Sequence, residues 1–193
     1  MCRLAYRSGV TTAITAPSGE GFLQGLSTAF NAGSPHALAP GAIRQEETAL
    51  HITISPSLRP SVSTQIAALR SQLFGSNEGP WNRVRKVCRS RNNLPHPHYH
   101  SFRLLFQGEM PLVVHVESAD IMATLVNLKW EYEDITRITI GLTFSGATEA
   151  HLLAKEIAGA GISVILTSPR PYPTSWEQRR MQVILFVIFI QVA

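Results

Sequence analysis

The residues of this chain best placed for chemistry are His115 and its neighbours in Pro111-Leu-Val-Val-His-Val-Glu-Ser-Ala-Asp-Ile-Met122. A run of apolar β-formers enters the histidine, Glu117 and Ser118 follow, and an apolar-periodic stretch begins at Ile121. The polar groups therefore sit where a buried strand hands over to a helix. In parallel α/β folds the carboxyl ends of the strands carry the chemistry, because the βα loops converge there and helix amino termini point at the ligand. A neutral imidazole at such a position is suited to hold a divalent metal. The plainer role, a core histidine bonded to a neighbouring carbonyl, stands beside that one.

The elements that position His115 follow from pattern. Residues 111–116 form a strand, and a helix runs from about Ser118 to Glu133. Ser118 is its expected cap, Asp120 favours the helix amino terminus, and Ile121, Leu125 and Leu128 share the buried face. A strand at 138–144, a helix from Ser145 to about Ala160 closed by Gly161, and a strand at 162–166 come next. This β-α-β-α-β order, repeating every 25 residues or so, implies parallel strands.

Upstream, residues 1–9 read as the end of a helix capped by Gly9, and Val10 to Thr15 as a strand stopped by Pro17. Gly19, Gly21 and Gly25 mark a loop before a short helix at 22–30, but their spacing is not that of a dinucleotide-binding turn. Ala49 to Ser55 reads as a strand with His51 on its polar side. Ser61 or Ser63 then caps a helix that buries Ile66, Leu69 and Leu73 and ends at Gly75.

Residues 81–107 break this rhythm. Arg83, Arg85, Lys86, Arg89 and Arg91 form a basic cluster without interleaved aromatics, which reads as a solvated segment before it reads as a nucleic-acid site. His96, His98 and His100 alternate between prolines that exclude a central strand. The chain has 193 residues, 45 % hydrophobic and 16 % charged, a globular composition, and its net charge of +4 speaks mainly to solubility. Cys2 and Cys88 form neither a disulfide framework nor a thiolate zinc motif. No secretory signal is legible, so a cytoplasmic location is expected. The apolar run Val183 to Ile190 is shorter than the ~20 residues of a membrane span.

Three segments, taken in order, resemble the metal-dependent amidohydrolase superfamily, nearest its imidazolonepropionase-like and N-acetylglucosamine-6-phosphate deacetylase-like branches. They are Gly9-Val-Thr-Thr, Pro111 to Ile121, and Gly146-Ala-Thr-Glu-Ala-His-Leu-Leu-Ala with Gly161-Ile-Ser-Val-Ile-Leu. The resemblance spans residues 3–86 and 108–180. It implies a partial (β/α)8 TIM barrel at 1–180, interrupted by a basic, His-rich insertion at about 87–107 and followed by a foreign tail at 181–193. It further implies a divalent metal, zinc by family expectation, that activates water against a non-peptide C–N bond in an amide or cyclic amide.

Family ligands come from an H-x-H after the first strand, histidines at the ends of the fifth and sixth strands, and an aspartate after the eighth. Only His115 matches, at the fifth-strand position, and Glu117 becomes its candidate outer partner. The sixth-strand position, Phe144 to Gly146, has no histidine; Glu149 and His151 lie further on, with core-facing or solvent-facing roles expected. The expectation is an incomplete and inactive amidohydrolase with a small-molecule substrate, no specific nucleic-acid partner and no membrane contact. Two alternatives remain: a noncatalytic α/β module that binds an anion at the helix starts after Ser118 or Ser145, and a basic nucleic-acid-binding protein built on Arg83 to Arg91.

Overall fold

A computed structural model describes residues 2–17, 19, 21–74, 104–105 and 108–166. The basic cluster, the alternating histidines, Cys88 and the apolar tail lie outside the described residues, as does most of the segment 87–107. Within that segment, Leu105 is fully buried in the main core.

Among the described residues, six strands form one sheet in sequence order. After a short helix α1 (Cys2–Arg7), β1 (Thr12–Ile14), β2 (Leu23–Asn31) and β3 (Ile43–Thr53) pair antiparallel. From β3 onward, β4 (Leu112–Val116), β5 (Leu142–Gly146) and β6 (Ser163–Ile165) pair parallel. The expected parallel array therefore holds for β3 to β6, and an antiparallel segment precedes it. Helix α2 (Val62–Leu73) follows β3, and α3 (Ala119–Thr136) joins β4 to β5. A 3-10 turn (Ala150–Leu153) and α4 (Ala154–Gly159) join β5 to β6.

The short helix expected at 22–30 is instead β2. Phe22, Leu26, Ala29 and Phe30 fall at helical spacing, but register shifts at Leu23/Gly25, Ser27/Ala29 and Ala29/Phe30 break the two-residue alternation of a strand. Such bulges let an extended chain carry a helix-like pattern. The strand expected at 138–144 begins only at Leu142, because Arg137 ends α3 in the left-handed conformation and residues 138–141 carry the chain back to the sheet. The helix expected from Ser145 is delayed because β5 runs through Gly146. Gly146 and Ala147 then both adopt positive φ, 86° and 43°, which no helix continues.

Alternation sorts the parallel strands into two faces. Leu50, Ile52, Leu112, Val114, Val116, Leu142 and Phe144 are buried toward the helices, where they form one core with Leu69 and Leu73 of α2 and Met122, Leu125 and Val126 of α3. Burying each such side chain contributes about 1.5–3 kcal/mol. Thr53, His115, Thr143, Ser145 and Ser163 occupy the alternate positions on the other face.

At the amino ends of the strands, the buried Lys129 ammonium donates to the Glu133 carboxylate, which also accepts from the Ile140 backbone N–H at 3.2 Å. This staple ties the last turns of α3 to the approach of β5. It lies at the opposite end of the strands from His115.

Candidate functional site

His115 is the fourth residue of β4, half-buried at the carboxyl end of the parallel strands. In register beside it are Thr53 of β3 and Ser145 of β5, so one imidazole is flanked by two hydroxyl-bearing residues. Its backbone is fixed from the β3 side: the Ile54 N–H donates to the His115 carbonyl at 3.0 Å. Gly146 makes room for the ring. A side chain at that position would collide with His115, since its Cβ would stand 2.9 Å from Cε1 and 3.1 Å from Nδ1.

The loop after β5 wraps over the segment that leaves His115. The Ala147 N–H donates to the Val116 carbonyl at 2.7 Å, and the Glu149 N–H and Thr148 hydroxyl both donate to the Glu117 carbonyl at 3.3 Å. The Ala119 N–H, at the first turn of α3, donates to Glu149 Oε2 at 2.7 Å. Ser118 occupies the cap position with extended backbone, but its hydroxyl makes no capping bond. The expected cap is thus replaced by a carboxylate thirty residues away. Glu149 is neither a solvent-facing nor a simple core residue, and its role had no sequence signal because the contact is long-range.

That contact bears on the anion-binding alternative. The start of α3 already receives an anionic oxygen from within the chain, and the segment after Ser145 is strand and turn rather than a helix start. Glu117, the candidate outer partner, is half-buried two residues beyond His115 at the exit of the strand. His151 is half-buried on the 3-10 turn.

Sequence reasoning also missed Gln65. It is buried on α2 and binds the loop leaving β3: Oε1 accepts from the Ser55 N–H at 3.1 Å, and Nε2 donates to the carbonyls of Ser55 at 3.0 Å and Pro60 at 2.6 Å. A glutamine among the apolar positions of a packing helix was the available signal. Ser61 precedes α2, yet its hydroxyl meets Ser63 and Thr64 hydroxyls rather than a backbone amide.

On β3, His51 lies on the alternate face as expected, facing Gly25 of β2 and Val113 of β4 in register. Its Nε2 is buried without a hydrogen-bond partner among the described residues, and desolvation holds its pKa below the ordinary histidine value. Residue pairing does not bring His51 beside His115; Thr53 stands there instead.

Among the described residues, no three His, Cys, Asp or Glu side chains come together as a metal-binding group. Ser145 stands where the resemblance calls for a sixth-strand histidine. The described donor set therefore does not fit a closed zinc centre, which takes three or four nitrogen, sulfur or carboxylate ligands.

Fold and site together define an α/β protein built on part of a parallel barrel, with its polar residues at the carboxyl ends of the strands. No family model matches the sequence. The chain is 28 % identical to "Amidohydrolase tasK" of Hapsidospora irregularis over 206 aligned positions, which cover 92 % of this chain and 21 % of that protein. Its structure is similar to that of an amidohydrolase from Thermotoga maritima MSB8, with a TM-score of 0.65 at 14 % identity, covering 88 % of this chain and 45 % of that one. The first match is a likeness in sequence to an amidohydrolase, and the second is a likeness in fold. The chain spans about a fifth of the curated relative and under half of the solved one.

Proposed function

We propose that this chain carries the middle of an amidohydrolase-type hydrolase for small molecules with amide or cyclic amide C–N bonds, and that His115 is the imidazole it contributes to a zinc site. The observation that supports this reading is the placement of His115 at the carboxyl end of β4, between Thr53 and Ser145, with Gly146 leaving space for the ring. Glu117 is the outer partner in this reading, two residues on and on the same side of an extended chain.

The described residues do not by themselves complete a zinc centre. The chain's own contribution is to hold one imidazole rigidly and to surround it with hydroxyls that orient a polar substrate. On this reading the described residues are inactive unless further ligands join His115.

Zinc titration of the purified full chain against a competing chromophoric chelator, combined with a panel of amide and cyclic amide substrates, tests the proposal. Zinc retention that falls tenfold or more in His115→Ala supports it. Equal retention in the two proteins, or hydrolysis that survives His115→Ala, overturns it.

A further inference from the structure

We propose that Glu149 is the positioning residue for His115. The proposal rests on reading His115 as the working group of the site. A side chain at the end of a strand is only as fixed as the backbone on either side of it. Before His115, β4 is buried between β3 and β5. After it, the chain leaves the sheet within two residues and must turn into α3.

Among the bonds that restrain that exit, four involve residues 147–149. Three involve the carbonyls of Val116 and Glu117, and the fourth is the Ala119 N–H donating to Glu149 Oε2 at 2.7 Å. Two of the first three are backbone bonds that carry on from the β4–β5 pairing, and the other is a neutral hydroxyl donation from Thr148. The fourth differs in kind, because an ionised carboxylate meeting an amide at a helix start is a charge-assisted bond supported by the helix dipole. It also replaces the local cap that Ser118 does not make.

Gly146, the last residue of β5, leads directly into this loop, and its Cα side lies against the His115 ring. Residues 146–149 thus touch His115 at the ring and clamp the chain just beyond it. With Glu149 closed on Ala119, the loop is held down where it leaves the end of β5 against which the ring rests. Glu149 therefore acts on His115 through the loop, with no direct contact between the two side chains required.

The test uses the full chain, with the ring resonances of His115 assigned through His115→Gln. Amide exchange at Ala119 reports the clamp, and the Cε1–H resonance of His115 reports the ring. In Glu149→Ala, exchange at Ala119 should quicken on the order of tenfold, as expected for loss of a helix cap, and the His115 resonance should shift and broaden. Glu149→Gln, which keeps an acceptor oxygen, should restore most of both. Ser118→Ala should change neither.

The proposal is overturned if Glu149→Ala quickens Ala119 exchange while the His115 resonance stays in place, since Glu149 is then a helix cap alone. It is equally overturned if Ser118→Ala reproduces the Glu149→Ala effects. Failure of the zinc reading shows separately, as a His115 resonance that zinc does not move in the unsubstituted protein.

Discussion

Gly146 and His115 are fitted to each other: a Cβ on residue 146 would come within 2.9 Å of the imidazole. Gly146 also adopts a φ of 86°, so alanine there meets both a steric and a conformational penalty. Gly161, with a φ of 62° and nothing within 4 Å of its would-be Cβ, isolates the conformational part. Gly161→Ala should cost about 1–2 kcal/mol, the usual left-handed penalty for an L-residue. Gly146→Ala should cost more and should displace the His115 ring. Urea unfolding of the two variants, with the His115 resonance as second readout, checks both; equal costs with an unmoved ring would refute the fit.

Gln65 supports the loop after β3 with hydrogen bonds that a hydrocarbon cannot make. Gln65→Leu keeps much of the volume but leaves the Ser55 N–H and the carbonyls of Ser55, Leu58 and Pro60 without their partner. The expected loss is roughly 2–3 kcal/mol, read as a lower urea midpoint at unchanged slope. A loss below about 0.5 kcal/mol would show that the loop finds other partners.

His51 should make stability depend on pH. Desolvation lowers its pKa in the folded protein, so below the ordinary histidine value of about 6.5 the unfolded chain binds the proton more readily. The contribution is thus fully present above that pH and is lost as pH falls through the folded pKa. In His51→Phe the corresponding part of the acid sensitivity should vanish. Unfolding free energies of both proteins across pH 5–8 that run parallel would refute the assignment.

The Lys129–Glu133 pair should respond asymmetrically. Lys129→Met removes a buried cation together with its need for a partner, and Glu133 keeps its bond to the Ile140 amide. The cost should stay within about 1 kcal/mol. Glu133→Gln leaves the ammonium buried without its counter-charge and should cost roughly 3 kcal/mol. Chemical denaturation ranks the two, and the reverse order would contradict the staple.

What was legible in the sequence divides along the range of the interactions. The succession β4, α3, β5 and β6 could be read from local periodicity, because buried parallel strands and their packing helices repeat the same apolar pattern. The strand β2 was not legible, since its bulges imitate a helical spacing. The cap of α3 was assigned to Ser118, the nearest residue of the right type, whereas the structure uses Glu149 from the following loop. His115 could be singled out because its strand and helix are local. The clamp, the glycine seat and the Gln65 brace join segments distant in sequence or hidden among apolar positions, where one chain read alone carries no mark of them.

The face of the sheet that bears His115 carries Thr53, Thr143, Ser145 and Ser163 together with His51, Val113 and Ile165, whereas the opposite face is hydrocarbon. Four hydroxyls set among Val113 and Ile165 make that side the more wettable of the two, so a ligand arriving beside Thr53, His115 and Ser145 exchanges hydrogen bonds with water more than it expels water from oil. Its association should accordingly carry a small heat-capacity change and a favourable enthalpy, the calorimetric signature of a polar surface.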